Sequence, residues 1–205
     1  MSVRTMIDLD PHLHIEQLKD VFDAPTIIRV TRFDEESLCK FESEIEEAHW
    51  TKQPVIPIVI DSYGGSTYAL MGMLSSIENA KLPIATIVGA KAFSCGAILF
   101  AFGANGYRFM HPDAVLMYHD VDIYNEGKIE EVKVNTRQAD SLNKLIYRKM
   151  ARHTGHEPSY FLDLISKKKH VDWYLTAREA KKHNIVNELR IPNFEVKIGV
   201  EITFV

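Results

Sequence analysis

Ser94 stands where a serine could act as a nucleophile. It lies between a predicted buried strand and a predicted apolar helix, in the segment Ala-Phe-Ser-Cys-Gly at residues 92–96. Residues this small permit a sharp turn that places the hydroxyl at the helix N-terminus, where backbone N–H groups could stabilise an oxyanion. A serine at such a position is more often a simple helix N-cap. Ser94 alone therefore favours a structural role, and a catalytic one requires a partner.

His119 is the candidate partner. It directly follows the predicted strand at residues 114–118, in the sequence Met-Tyr-His-Asp. Catalytic and ligand-binding groups in open α/β sheets gather at the carboxyl ends of strands. A histidine at that edge could accept the serine proton. The commoner role of a single histidine, a hydrogen bond to a loop carbonyl, stays open.

Gly64 and Gly65 also follow a predicted buried strand and precede a predicted helix. Paired glycines let the backbone approach a ligand closely and turn N–H groups toward negative charge. Neither a GxxxxGK[ST] nor a GxGxxG pattern is present, which argues against a phosphate loop. A tight turn without a further role is the alternative.

The elements around these residues alternate between strands and helices. Predicted strands cover residues 26–30, 55–60, 84–88 and 114–118, and predicted helices cover residues 35–50, 68–80 and 98–104. The runs at 55–60 and 84–88 are almost entirely apolar, which suits strands buried on both faces. Strand, small-residue turn, helix and strand in succession predict an α/β fold with a largely parallel sheet.

The ends of the chain and its C-terminal half follow other patterns. Residues 11–24 form a short amphipathic stretch, and residues 129–153 form a long mixed-charge helical pattern, typical of a helix that projects from the core or packs on a neighbour. Further helices are expected at residues 158–166 and from Thr176, which opens a capping box with Glu179. The strict alternation over residues 194–205 predicts a strand with one buried face.

Composition excludes several classes of protein. The chain has 205 residues, of which 46% are hydrophobic and 25% charged, as in ordinary globular proteins. The net charge of −4 argues against non-specific nucleic-acid binding. No apolar stretch suits a signal peptide or a membrane span, so we expect a cytoplasmic chain that binds neither nucleic acid nor membrane. The cysteines form no CxxC pair, and the paired histidines (His12 with His14, His153 with His156) lack further ligands, so we expect no metal site.

In their order and spacing, these signals resemble the proteolytic subunit of the Clp protease. In that family a Gly-Gly turn, a serine in a small-residue turn and a Met-x-His segment follow one another. The intervals from Gly65 to Ser94 and from Ser94 to His119 both agree with the family pattern. The resemblance extends over residues 25–190.

The resemblance implies a serine endopeptidase with an α/β, ClpP/crotonase-like fold. Ser94 would attack the peptide carbonyl to form an acyl-enzyme, His119 would transfer the proton, and Asp172, which precedes an aromatic-Leu-Thr-Ala segment, would orient the histidine. The backbone N–H groups of Gly65 and Cys95 would form the oxyanion hole. No metal or organic cofactor would be needed. Residues implied in substrate binding are Gly64, Ser66, Val121 and Asp122.

An assembly is implied as well. In a single domain over residues 1–205, residues 25–121 and 157–192 would form the head and residues 122–156 a protruding helical handle, through which two seven-membered rings stack. Residues 1–24 would form an N-terminal segment and residues 193–205 an extra C-terminal β-strand. Unfolded polypeptides would enter the closed chamber with the help of a Clp-type ATPase unfoldase, which alone would consume ATP.

The chain also departs from the family pattern. Tyr63 replaces the usual proline, residues 120–125 replace a Gly-rich stretch, and the interval from His119 to Asp172 is longer than usual. Three alternatives therefore stay open. They are an inactive or latent ring subunit or scaffold, an ATPase-independent peptidase such as a viral capsid-maturation enzyme, and a crotonase-like acyl-thioester enzyme, in which these three catalytic residues are not expected.

Overall fold

The computed structural model describes residues 25–51, 53–124 and 126–193. The amphipathic stretch expected at residues 11–24 and the C-terminal strand expected at residues 194–205 lie outside these residues. Among the helices of the described residues, none is both long enough and apolar enough to cross a membrane.

Strands and helices alternate in the first part of the described chain, and helices dominate the second. The strands are β1 (Ile28–Val30), β2 (Ile56–Ser62), β3 (Ile84–Phe93), β4 (Arg108–Met110), β5 (Val115–Tyr118) and β6 (Trp173–Thr176). The helices are α1 (Glu35–Trp50), α2 (Thr67–Asn79), α3 (Cys95–Ala101), α4 (Ile129–His153), α5 (Tyr160–Lys167) and α6 (Ala177–Lys182).

These strands form one sheet in the order β1-β2-β3-β5-β6, and β4 pairs with β3 outside this path. β3 is long enough to pair twice on the same side: residues 86–88 pair with β4, and residues 91–93 pair with β5. All the pairs are parallel except that of β5 with β6, which is antiparallel. The expected α/β class with a largely parallel sheet is therefore confirmed.

The two central strands are buried on both faces, as their apolar sequences predict. Ile56, Ile58 and Ile60 of β2 are inaccessible to solvent, and the first five residues of β3 are all buried. The buried apolar side chains of the described residues form a large main core and a second, smaller cluster. The smaller cluster consists of Ala85, Ile87 and Phe109. Burial of this apolar area is the main free-energy gain that holds the sheet in place.

Arg108 of β4 is a fully buried charged side chain. Its guanidinium donates hydrogen bonds to the carbonyls of Gly103 (3.0 Å), Asn184 (3.0 Å) and Ile185 (2.9 Å). Burial lowers the pKa of Arg108, and the three carbonyls compensate for the lost hydration. Arg108 thereby fastens the chain after α6 to β4.

The structure differs from the sequence-based prediction at three strands. β3 continues to Phe93, because residues 91–93 pair with β5, so the turn predicted over residues 92–97 is reduced to Ser94. β4 and β6 were not predicted. They contain only 3 and 4 residues, too few for an alternating pattern to stand out.

α4 has the predicted bounds and meets the core only near its C-terminus. Its buried residues are Ile146, Tyr147, Met150 and Ala151. The exposed N-terminal half is typical of a helix that projects from the core. The division of the chain into a head and a handle stays a prediction.

Candidate active site

Ser94 forms the turn between β3 and α3. Its φ of 53° and ψ of −122° lie in a region that non-glycine residues rarely adopt, and its side chain makes no capping hydrogen bond to α3. The N–H of Ser94 donates to the carbonyl of Met117, 2.8 Å away, which extends the pairing of β3 with β5 by one residue. The strained turn presents the hydroxyl at the carboxyl edge of the sheet, as a nucleophile requires.

His119 meets Ser94 at that edge. It follows β5 directly, and its Nε2 lies 2.7 Å from Oγ of Ser94. The side chain of His119 is 19% exposed, so the imidazole is largely shielded from competing water. A serine hydroxyl that donates to a neutral imidazole is arranged to lose its proton to that imidazole on attack.

Two side chains of α4 fix the backbone around His119. The hydroxyl of Tyr147 donates to the carbonyl of His119 (2.7 Å), and Oδ1 of Asn143 accepts from the N–H of Val121 (3.1 Å). Nδ2 of Asn143 donates to Oδ1 of Asp120 (2.7 Å). Burial raises the pKa of Tyr147, so its hydroxyl stays protonated and able to donate. The position of His119 therefore depends on how α4 docks.

The structure brings Asp122, and not Asp172, to the other nitrogen of His119. Oδ2 of Asp122 lies 3.3 Å from Nδ1 of His119, although the Asp122 side chain is 91% exposed. Asp172, the residue implied by the family resemblance, forms no ion pair with His119 in the described chain. Asp172 does not meet His119 because the pairing of β5 with β6 stops one residue earlier, at Tyr118 and Trp173. One further step in the same register would set Asp172 opposite His119.

The two glycines bring the end of β2 against Ser94. Gly64 has a φ of +108°, and a Cβ at this position would lie 2.7 Å from Cβ of Ser94. Gly65 has a φ of +149°, and beside it the N–H of Ser66 donates to the carbonyl of Phe33 (2.8 Å). Only glycine combines this close approach with these backbone angles.

Cys95 adjoins Ser94 as the first residue of α3. Its N–H belongs to the first turn, which has no acceptor within the helix. Its Sγ donates to the carbonyl of Gly65 at 3.3 Å, so the two residues expected to form the oxyanion hole are in contact. Burial raises the pKa of the Cys95 thiol, which keeps the sulfur protonated and favours Ser94 as the nucleophile.

A cavity of about 300 Å³ opens beside Ser94 and His119. Apolar side chains from three helices, Leu70, Ile98 and Ile146, contribute to its wall. Six of the residues expected at the site line this cavity: Gly65, Ser94, Cys95, His119, Val121 and Asp122. Gly64, Ser66 and Asp172 are absent from the lining, and Ser66 instead caps α2 through Ala69.

His153 and His156 have separate structural partners. Nε2 of His153 lies 3.0 Å from the carbonyl of Gly103, and Nε2 of His156 lies 2.8 Å from the carbonyl of His183. The described residues contain no group of three or more side chains suited to hold a metal ion. His12 and His14 lie outside the described residues.

Comparison with known proteins identifies the family. The family model described as Clp protease matches residues 44–191, more than half of the chain. The chain belongs to the Clp protease family. The resemblance inferred from Gly64, Gly65, Ser94 and His119 is therefore confirmed.

Curated Clp relatives are similar to the chain at modest identity. It is 29% identical over 134 residues to the ATP-dependent Clp protease proteolytic subunit 3 of Nocardia farcinica, covering 64% of this chain and 59% of the relative. It is 29% identical over 136 residues to the ATP-dependent Clp protease proteolytic subunit of Bacteroides fragilis, covering 66% and 64%. The chain thus spans about three fifths of the length of these relatives.

Asn143 and Tyr147 are site residues that were not predicted. They are four positions apart on α4, so they share a helix face. Two side chains that can form hydrogen bonds, placed together beside an apolar stripe, could have indicated a polar contact at this face. Nothing in the sequence indicated that this face meets the segment after His119.

We predict that Gly64→Ala destabilises the fold at the site. The new methyl group would collide with Ser94 and force an L-residue into a rarely adopted φ, so the free energy of unfolding should fall by about 2–3 kcal/mol. Urea denaturation of the variant and of Gly89→Ala measures this. Gly89 is a matched control, because a Cβ there meets nothing within 4 Å. Equal stabilities of the two variants would contradict the close approach of residue 64 to Ser94.

Proposed function

We propose that the protein is a serine endopeptidase that cleaves unfolded polypeptides through an acyl-enzyme. The observation that carries the proposal is the 2.7 Å contact between Oγ of Ser94 and Nε2 of His119. It occurs at the carboxyl edge of a largely parallel sheet, in a chain of the Clp protease family. The relatives are named as proteolytic subunits of an ATP-dependent Clp protease, which supports the same activity.

The proposed reaction begins with attack of the Ser94 oxygen on the scissile carbonyl carbon. Nε2 of His119 takes the hydroxyl proton, and the N–H groups of Gly65 and Cys95 stabilise the oxyanion of the tetrahedral intermediate. His119 then gives the proton to the leaving amine, and the carbonyl carbon stays bound to Ser94 as an ester. Water, deprotonated by His119, hydrolyses this ester and restores the serine.

The proposed substrate is an extended polypeptide. Its backbone would lie between residues 64–66 and 121–122, and the side chain on the acyl side of the scissile bond would enter the cavity. Leu70, Ile98 and Ile146 line that cavity, so we expect apolar side chains there. A folded protein would have to unfold before it could present such a segment.

Assembly and partners belong to the proposal as well. The exposed half of α4 carries the apolar side chains of Ile129 and Val134, which suit contacts between copies of the chain. We propose a cytoplasmic homo-oligomer of stacked, heptameric rings supplied by a Clp-type ATPase. The proposed chemistry uses no metal or organic cofactor.

Asp172 is retained as the proposed orienting carboxylate. The register of β5 and β6 would set it opposite His119 if the pairing continued by one residue. Asp122 stands nearer in the resting structure, but water around its exposed side chain weakens its electrostatic hold on an imidazolium. The present separation of Asp172 from His119 favours one rival reading, a latent or inactive subunit of the same fold.

We predict unequal effects for the two aspartates. Asp172→Asn should lower kcat for a fluorogenic peptide by about a thousandfold or more, as loss of the carboxylate does in other serine triads. Asp122→Asn should lower kcat by less than about tenfold, in line with the small energies of exposed ion pairs. Steady-state kinetics of both variants distinguishes the two residues. The reverse order would make Asp122 the third catalytic group.

We predict that a fluorophosphonate forms one covalent adduct per chain at Ser94. Intact-mass measurement should show the adduct on the wild type and none on Ser94→Ala. Ser76→Ala is the matched control, because Ser76 lies on α2 and its hydroxyl donates to the carbonyl of Gly72. A folded wild type without an adduct would contradict the active enzyme and favour the scaffold.

A further inference from the structure

A hydrogen bond between two side chains connects the two segments that carry the proposed catalytic histidine and aspartate. Nδ1 of His170 lies 2.5 Å from Oδ2 of Asp120. Asp120 directly follows His119, and His170 lies two residues before Asp172. This Asp120/His170 pair therefore joins the chain just beyond His119 to the chain just before Asp172.

Asp120 is itself held in place by α4. Its Oδ1 accepts a hydrogen bond from Nδ2 of Asn143 at 2.7 Å, so each carboxylate oxygen has a different partner. The Asp120 side chain is 33% exposed and that of His170 is 59% exposed, both less than the 91% of Asp122. Asp120 therefore links α4 to the segment that carries His170.

The segment that carries His170 turns sharply after α5. Lys169 and His170 have φ values of 59° and 58°, so two successive non-glycine residues are left-handed. Backbone hydrogen bonds from Lys169 to Ser166 (2.9 Å) and from His170 to Ile165 (3.1 Å) close the turn. Such angles cost free energy and persist only where surrounding contacts enforce them. The hydrogen bond between His170 and Asp120 is one of these contacts, and substitution of His170 removes it.

The register of the neighbouring strands shows what the pair would position. Tyr118 pairs with Trp173 at the end of the antiparallel ladder, and His119 and Asp172 are the next residues on the two chains. The Asp120/His170 pair stands just beyond them. Residues 119 and 172 therefore lie between the last residue pair of the strands on one side and the Asp120/His170 hydrogen bond on the other.

We propose that Asp120 and His170 are positioning residues, which hold the turn between α5 and β6 against the segment after His119. Asp172 forms no ion pair with His119 in the described part of the resting structure, and the pair would keep it within reach of Nδ1 for the reaction. The proposal rests on the peptidase function proposed above. Neither residue touches the reacting atoms, and His170 acts only through Asp172. Loss of the pair should slow the chemical step and leave peptide binding unchanged.

Substitution of His170 tests the claim. His170→Ala should lower kcat between about tenfold and a hundredfold, the cost of a small misplacement of a catalytic group, with KM changed less than about twofold. His170→Asn places an amide N–H near the position of Nδ1 and should retain kcat within about threefold. His111→Ala is the matched control, since exposed His111 lies near Asp113 (3.8 Å) outside the cavity lining. An unchanged or increased kcat in His170→Ala would overturn the proposal.

A double substitution tests whether His170 acts through Asp172. In the Asp172→Asn background, His170→Ala should cause less than about a twofold further loss of kcat, because the residue that it positions is already disabled. A further loss as large as that in the wild-type background would overturn the claim. The residual rate of each variant is compared with that of Ser94→Ala, which measures the background hydrolysis of the peptide.

Hydrogen exchange of the full-length chain tests the pair without turnover. In His170→Ala, amides of residues 168–172 should exchange at least about tenfold faster, whereas His170→Asn and His111→Ala should resemble the wild type. Unchanged exchange would overturn the proposal, whatever the activity. The wild type could fail to form a fluorophosphonate adduct at Ser94 while hydrogen exchange responds as expected. That result would contradict the proposed peptidase function and would still support the structural role of the Asp120/His170 pair.

Discussion

The parallel pairing of β3 with β5 is the constraint on which the candidate site depends. Residues 91–93 pair with residues 115–117, and the N–H of Ser94 adds one more hydrogen bond to Met117. This register leaves Ser94 and His119 just beyond the ends of adjacent strands, where their side chains meet. A slip of one residue would send one of the two side chains to the other face of the sheet.

The surrounding elements serve this contact in different ways. Two glycines after β2 allow the backbone to pass beside Ser94. α3 begins at Cys95, whose N–H has no acceptor within its own helix. α4 holds the segment after His119 through Asn143 and Tyr147. α4 is exposed along its N-terminal half, and its C-terminal half therefore holds the backbone around His119.

The parts of the fold that could be predicted are those governed by local pattern. The bounds of α1 and α4 follow from helical periodicity, and the central strands from their apolar runs. Ser94 and His119 could be proposed because catalytic groups collect at the carboxyl ends of strands. β6 and the hold of Asn143 on Asp120 could not, because they depend on contacts between segments far apart in sequence. The position of Asp172 depends on the geometry of one turn, which periodicity does not encode.

A crystal structure of the chain after reaction with a peptidyl phosphonate tests the central claim most directly. We predict that the Ser94 oxygen displaces one ester group of the phosphonate and that the P=O oxygen of the adduct lies within about 3 Å of the backbone nitrogens of both Gly65 and Cys95. The imidazole of His119 should remain beside the Ser94 oxygen. Phosphorus bound to another residue, or a phosphonyl oxygen turned away from both N–H groups, would contradict Ser94 and its neighbours as an acyl-transfer site.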